Sequence, residues 1–251
     1  MPKIDEMQLK KEIKSGDFKN AYLLYGEESY LKEYYANELK NKIVDKTFEA
    51  FNYHSFDGKD TELDDILKDA QMNPMISEYN FVLVKDYPIE KSANDIKLLE
   101  EYLSDAPDST VLVFWFDALD PDVKSAKFKK VIKAFEKAGN CVELQKRSEN
   151  DVAKLLVNGA KKRGALLDIN VAKYLISVSG NDMKNLLNEL DKLAYYANGG
   201  EITKDTVDNM ATKCLQARIY DLSKYVVAGK SSLAYDVLNT CLLYTSPSPR
   251  D

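Results

Sequence analysis

Hydrophobic and polar residues alternate over residues 1–147 in a pattern that predicts strands and helices in turn. Short apolar runs followed by turn residues indicate strands buried within a sheet, at 21–25, 48–56, 80–85, 110–116 and 141–144. Between them, apolar positions recur at helical spacing, which predicts helices at 29–43, 61–70, 95–103 and 125–138. Strands that alternate with helices pair in parallel through crossover helices, so the sequence predicts an α/β three-layer domain.

The pattern changes after Arg147, where only helical spacing remains and no strand is predicted. Ser148 and Asp151 form a capping pair for the first of the helices that follow. These helices are predicted at 148–163, 170–177, 182–197 and 203–212. The sequence therefore predicts a small all-α domain over 148–213 behind an α/β domain over 1–147. An amphipathic stretch at 217–238 predicts the start of a further helical domain, over 214–240.

The last residues, CLLYTSPSPRD at 241–251, depart from the helical pattern because serine and proline alternate. The string resembles translated read-through of a sequencing adapter, so we expect an artificial tail on a truncated natural protein. A terminal linker is the alternative. Truncation is favoured because the stretch at 217–238 is too short to bury its own apolar face.

Composition and charge narrow the class of protein. The 251 residues are 45% hydrophobic and 30% charged, which is typical of a globular chain. The net charge of −6 means that any nucleic-acid contact requires a local basic patch. Three separated cysteines and one histidine exclude His-rich and four-cysteine zinc sites and fit a reducing cytoplasm. No apolar run reaches the ~18 residues of a membrane span, so no membrane association is expected.

The loop after the first predicted strand lacks the residues that bind a nucleoside triphosphate. A P-loop has the pattern G-x-x-x-x-G-K-[ST], in which backbone N–H groups and a lysine surround the phosphates. Residues 26–29 contain one glycine, no lysine and the carboxylates of Glu27 and Glu28, which repel phosphate and suit a helix N-terminus. A second partial match at 229–231 has Lys224 where glycine is required and does not follow a strand. Neither position is predicted to bind nucleotide.

Isolated acidic and imidazole side chains complete no catalytic or metal site. Asp117 follows the predicted strand at 110–116, but Ala118 stands where a magnesium-binding pair has a second acid. A lone aspartate there is typical of a turn. His54 lies within a predicted strand and has no serine or cysteine partner at a suitable spacing. The sequence therefore predicts no catalytic residue, no metal and no cofactor.

A loop between a predicted helix and a predicted strand carries the apolar residues Met75 and Ile76. Pro74 breaks the helix and keeps the residue before it extended. Both apolar side chains either tuck into the core beneath the loop or form an insertion peptide for a hydrophobic pocket on a partner. Burial of two such side chains contributes ~1.5–3 kcal/mol each, which is enough for an interface hot spot.

A basic region lies at 124–163, where twelve lysines and arginines outnumber four acids. Lys129, Lys130 and Lys133 belong to this region and are candidates for contact with DNA. A solvated helix face is the alternative.

Four stretches, in this order, resemble the delta subunit of bacterial DNA polymerase III, a clamp-loader subunit. They are AYLLYGEESYLKEYYANELK at 21–40, DAQMNPMISEYNFVLVKDY at 69–87, STVLVFWFDALD at 109–120 and SGNDMKNLLNELDKLAYYANG at 179–199. The resemblance covers about residues 18–238. It rests on the order and spacing of the stretches, since no single motif is strongly specific.

The resemblance implies a P-loop-NTPase-like (AAA+-like) α/β domain without a functional P-loop, then a helical lid domain and a helical collar domain. It also implies a clamp-binding element before the third strand, formed by a glutamine and two adjacent large apolar residues. The matching positions are Gln71, Met75 and Ile76, with Met72 and Pro74 in the same loop. The family's usual pair is leucine with phenylalanine, so Met75 and Ile76 depart from it.

The resemblance further implies partners and a role in DNA replication. The partners are the sliding clamp (beta subunit), the other clamp-loader subunits (gamma/tau and delta prime) and primed DNA. The chain would be a cytoplasmic, non-catalytic subunit of a DNA-directed DNA polymerase, a nucleotidyltransferase, and would open the clamp without hydrolysing ATP. Two alternatives remain: an AAA+-type ATPase that binds ATP at 26–29, and a stand-alone DNA-binding module that uses the basic region.

Overall fold

The computed structural model describes residues 4–245, and the chain divides into two compact units, Met1–Lys146 and Arg147–Asp251. The elements of the first unit are α1 (Glu6–Ser15), β1 (Ala21–Tyr25), α2 (Ser29–Ile43), α3 (Glu49–Asn52), β2 (Tyr53–Asp57), α4 (Leu63–Ala70), β3 (Asn80–Lys85), a short 3-10 helix (Ile89–Lys91), α5 (Ala93–Ser104), β4 (Thr110–Trp115), α6 (Ala126–Ala138) and β5 (Gly139–Glu143).

The first unit is built on a five-stranded parallel sheet with the strand order β2-β3-β4-β1-β5. Every residue of β1 and β4 is buried, because helices cover both faces of the sheet. Side chains from α4, α5 and α6 pack on one face, and side chains from α1 and α2 pack on the other. This arrangement confirms the predicted α/β three-layer fold.

Two parts of the first unit differ from the sequence-based prediction. The segment predicted as one strand at 48–56 begins with α3, and β2 starts only at Tyr53. A four-residue helix is too short to show helical periodicity, and Phe51 on it is exposed rather than packed in a sheet. Helix α1 was not predicted, because it buries only Leu9, Glu12 and Ile13 and its pattern is mostly polar.

The second unit is mainly helical. Its elements are α7 (Glu149–Lys162), β6 (Leu166–Leu167), α8 (Ile169–Ser179), α9 (Met183–Ala197), β7 (Glu201–Ile202), α10 (Lys204–Met210), α11 (Leu215–Val227) and α12 (Ser231–Thr245). The Ser148 side chain accepts the N–H of Asp151, as the predicted cap of α7 requires.

The prediction of no strand after Arg147 was wrong, because β6 and β7 pair in parallel. Each has two residues, which is too short for an alternating pattern to show. Helix α12 continues to Thr245 and so includes the first residues of the predicted tail at 241–251. Residues 246–251 lie outside the described residues. Within 4–245, no helix has the length and apolar character needed to cross a membrane.

Candidate functional site

The candidate site is the segment at 71–76, between the end of α4 and the start of β3; we call it the tip loop. Helix α4 forms because Leu63, Ile66, Leu67 and Ala70 share one buried face. The N–H of Gln71 still donates to the carbonyl oxygen of Leu67 at 3.0 Å, so the last helical turn closes there. The tip loop therefore begins directly at a hydrogen-bonded helix end whose apolar face is buried.

The apolar side chains of the tip loop point into solvent. The exposed fractions are 54% for Met72, 52% for Met75 and 80% for Ile76. Gln71 is also exposed, and Pro74 is partly buried. The alternative in which Met75 and Ile76 tuck into the core is therefore wrong for this structure.

A buried asparagine, Asn52, binds the main chain of the tip loop from the neighbouring helix α3. Its Oδ1 accepts the N–H of Met75 at 2.6 Å, and its Nδ2 donates to the carbonyl oxygen of Met75 at 2.9 Å. The same Nδ2 donates to Ser77 Oγ at 2.8 Å. The Asn52 side chain is only 1% exposed, and its hydrogen bonds to Met75 and Ser77 are partly buried. The amide thus binds both main-chain groups of Met75, as a paired strand would.

A second buried asparagine, Asn80, holds the other end of the tip loop. Its Nδ2 donates to the carbonyl oxygens of Asp69 at 2.8 Å and Met72 at 3.3 Å. The hydroxyl of Tyr102 donates to the carbonyl oxygen of Ala70 at 3.2 Å, and burial raises the pKa of that phenol. The carbonyl groups on either side of Gln71 are therefore bound from β3 and α5.

Ile76 adopts a backbone conformation that is unusual for a β-branched residue. Its φ angle is 57°, in the left-handed region that Gly and Asn tolerate best. Such a conformation costs about 1–3 kcal/mol and persists only where the surroundings enforce it. Here the hydrogen bonds of Asn52 fix the residues on both sides of Ile76. Ile76 therefore combines a strained backbone with a side chain that is exposed to solvent.

In and beside the loop at 26–29, the N–H and amine groups that could bind a phosphate already donate hydrogen bonds to carbonyl oxygens of the chain. The N–H of Glu28 donates to the carbonyl oxygen of Leu144 at 3.0 Å, and Lys32 Nζ donates to the carbonyl oxygen of Gly26 at 2.7 Å. Burial lowers the pKa of Lys32, and the negative charges of several acids, Asp120 foremost, oppose that shift. A Cβ atom at Gly26 would lie 2.5 Å from the Leu144 oxygen, so the two loops are in close contact.

Asp86 organises the carboxyl edge of the sheet. It is 1% exposed, and its carboxylate accepts the N–H groups of residues 117, 118 and 119 at 2.7–3.1 Å. Burial alone would raise the pKa of Asp86, but these donors, together with Lys85, hold it below its usual value. Asp117 pairs with Lys85 at 2.8 Å. Because Asp86 accepts its N–H, Asp117 belongs to the turn that Asp86 stabilises.

The remaining predicted residues lie apart from the tip loop or contribute structure. Lys129, Lys130 and Lys133 are exposed on α6, and none of the three has an ion pair within the described part of the chain. His54 lies on β2 with its Nδ1 atom 3.1 Å from Asp69 Oδ2. The partial phosphate-loop match at 229–231 covers the link between α11 and α12 and the first residue of α12, and it does not follow a strand.

Sequence reasoning missed Asn52, Asn80 and Asp86. Each is a single polar residue beside an apolar run, and such residues normally indicate a turn rather than a buried anchor. Their positions depend on strand pairing, since Asp86 lies 31 residues from the N–H of Asp117 that it accepts. No local sequence signal could have identified them.

Comparisons with known proteins agree with one another. Residues 22–145 match the family model of the DNA polymerase III delta subunit. The chain is 27% identical to DNA polymerase III subunit delta of Bacillus subtilis, with 91% of this chain and 68% of the relative covered.

Solved structures share the fold. The B. subtilis DNA clamp loader delta protein superposes with a TM-score of 0.65 at 24% identity, over 97% of this chain and 73% of that protein. The Thermotoga maritima RuvB Holliday-junction branch-migration motor matches with a TM-score of 0.53 at 12% identity, over 97% and 87% of the two chains. These likenesses confirm the predicted P-loop-NTPase-like architecture.

The family match rests on the α/β unit, and the curated relative extends it to most of the chain. Over residues 22–145, the α/β unit of this chain is similar to the DNA polymerase III delta-subunit family.

Proposed function

We propose that this chain binds the sliding clamp (beta subunit) through its tip loop, as a clamp-loader subunit that does no ATP hydrolysis of its own. The observation that supports the proposal is the exposure of three large apolar side chains, Met72, Met75 and Ile76, on a loop whose main chain is bound by buried groups. Exposed apolar residues on an ordered loop are typical of a protein-binding site.

The proposed contact places Met75 and Ile76 in an apolar pocket of the clamp, with the exposed Gln71 amide bonding at the pocket edge. Burial of the two apolar side chains contributes about 1.5–3 kcal/mol each. Because the tip loop is already ordered, little conformational entropy is lost on binding. Affinity is therefore concentrated in a few side chains, as in other hot spots.

Clamp opening follows if the chain binds the open ring better than the closed ring. The equilibrium then shifts by no more than the difference between the two binding free energies. In this proposal, partner subunits hydrolyse ATP. The proposed loader partners are gamma/tau and delta prime, and primed DNA is the proposed substrate of the assembly. The proposed location is the bacterial cytoplasm.

The contacts of the loop at 26–29 support a subunit that does not use ATP. The N–H of Glu28 and the amine of Lys32 already bind carbonyl oxygens of the chain. A triphosphate would have to break both hydrogen bonds and approach the carboxylates of Glu27 and Glu28. These costs argue against the AAA+-type ATPase alternative.

A double substitution in the tip loop tests the proposal. Met75→Ala with Ile76→Ala removes the apolar contact area, so binding to the cognate clamp in a pull-down or by biolayer interferometry should fall below detection. Far-UV circular dichroism and the melting temperature should remain close to wild type, because both side chains are exposed.

The matched control is Met7→Ala, which removes a side chain of similar exposure, 65%, from helix α1. It should bind the clamp as the wild type does. Unchanged binding by the tip-loop double variant would reject the tip loop as the clamp-binding element.

A further inference from the structure

We infer that Asn52 is a positioning residue for the tip loop: it holds the main chain of Met75 so that the apolar side chains are presented in one binding-ready conformation. This inference rests on the proposed function of the tip loop and adds a residue that does not itself touch the partner. Asn52 lies 23 residues before Met75 and belongs to α3, so the contact is tertiary rather than part of the turn.

The hydrogen-bond pattern of Asn52 is specific for an amide. The site uses the Oδ1 acceptor toward the Met75 N–H, and the two N–H donors of Nδ2 toward the Met75 carbonyl oxygen and Ser77 Oγ. Only Asn offers both functions at this length, because Asp lacks the donor and Leu lacks both. An apolar residue would leave the main chain of Met75 without these bonds.

The strain at Ile76 supports a positioning role. A β-branched residue does not enter the left-handed region by its own preference, so its neighbours must hold it there. Asn52 binds the residue before Ile76 and the residue after it. Loss of the amide should therefore release Ile76 to ordinary backbone conformations and redistribute Met75 and Ile76 over several orientations.

An ordered loop and a disordered loop with the same side chains differ in affinity for the same pocket. The disordered loop has to lose its freedom upon binding, which lowers affinity without altering any contact atom. Asn52→Ala should consequently weaken clamp binding by about tenfold or more. The side chains at 75 and 76 remain present in this variant.

The test combines clamp binding with hydrogen exchange of the free full-length chain. In Asn52→Ala, the Met75 amide should exchange at least about tenfold faster than in wild type, because its acceptor is gone. Amides of β1 and β4 should keep their relative protection. Asn52→Asp retains the acceptor for the Met75 N–H but not the donor, so its exchange rate and affinity should be intermediate. It replaces Asn52→Ala if that variant fails to fold.

Asn140→Ala is the matched control. Asn140 is also a buried asparagine, 7% exposed, and its Nδ2 donates to the Glu12 carboxylate at 2.8 and 3.0 Å. It lies on β5, at the opposite edge of the sheet from β2. This variant should lower the melting temperature while leaving Met75 exchange and clamp binding at wild-type values.

The outcomes separate this inference from the proposed function. Faster Met75 exchange and weaker binding in Asn52→Ala, but not in Asn140→Ala, support the inference. Wild-type exchange and wild-type affinity in Asn52→Ala overturn it, as does an equal loss of affinity in both variants. If the wild-type chain does not bind the clamp at all, the proposed function fails, and Met75 exchange alone then decides whether Asn52 orders the loop.

Discussion

Ile76 combines two features that oppose each other: a side chain suited to binding and a backbone conformation that disfavours folding. The side chain is 80% exposed and contributes little to the core, while its φ angle of 57° carries a conformational cost. Residues of this kind exchange stability for function. The stability of the unit and its binding strength should therefore respond to Ile76 in opposite directions.

Ile76→Asn tests this trade-off. Asparagine accepts the left-handed conformation readily, so the free energy of unfolding should rise by about 1 kcal/mol. Clamp affinity should fall, because the apolar side chain is lost. Urea denaturation measures the first effect and a binding titration measures the second. Lys59→Asn, at an exposed turn position without a positive φ angle, serves as the control; a loss of stability in Ile76→Asn would show that its backbone is not strained.

At the scale of elements, the carboxyl ends of β3 and β4 are joined by one buried carboxylate. Asp86 accepts the N–H groups of the turn that follows β4, and its lowered pKa means that the charged form is bound more tightly in the folded state. Such a group contributes stability that is fully present above its unfolded pKa, near 3.8, and is lost as pH falls through the lower folded value.

Asp86→Asn should lower the free energy of unfolding by about 1–3 kcal/mol at neutral pH, because one charge-assisted acceptor becomes a donor. The gap between wild type and variant should narrow as pH falls below about 4. Denaturation in urea at a series of pH values measures this difference in the free energy of unfolding. Asp117→Asn removes a carboxylate with 44% side-chain exposure and should cost under about 1 kcal/mol. A pH-independent gap would contradict this account of Asp86.

The helices and strands were largely predictable from the sequence, whereas the buried polar residues Asn52, Asn80 and Asp86 were not. Strands β1 and β3 have the predicted bounds, because each is a continuous apolar run next to a turn residue. The glutamine and apolar pair of the tip loop were predicted from the family resemblance and the break at Pro74, and their role in binding stays a prediction. Asn52 could not be found, since its role depends on α3 lying beside a loop 23 residues away. The exposure of Met75 and Ile76 likewise depends on tertiary packing.

For the whole molecule, the net charge of −6 contrasts with the surface of α6. Lys127, Lys129, Lys130, Lys133 and Lys137 are all exposed on this helix. Within the described residues, these five lysines form no ion pairs. Unpaired lysines on one helix attract phosphate more strongly than paired ones. This observation favours DNA contact as a second proposed role, beside clamp binding.

Charge reversal at Lys129→Glu and Lys130→Glu tests that role. The wild-type chain should bind primed DNA with an affinity that falls as salt rises, and the variant should bind more weakly with a shallower salt dependence, by about 0.9 in slope per lost phosphate contact. A gel shift at several salt concentrations measures both. Lys11→Glu with Lys14→Glu makes the same charge change on α1, where both lysines are exposed. Equal effects of the two pairs would indicate only bulk charge.

The anchoring of the tip loop has a consequence for sequence change. Asn52 and Asn80 form hydrogen bonds with main-chain groups and with one hydroxyl. Neither forms a hydrogen bond with the side chain at 72, 75 or 76. The two asparagines therefore place no requirement on the chemistry of these side chains, and only the backbone conformation at Ile76 restricts which residue fits there. Other apolar residues can therefore take these positions without a change at Asn52 or Asn80, and affinity for the partner can change through the displayed side chains alone.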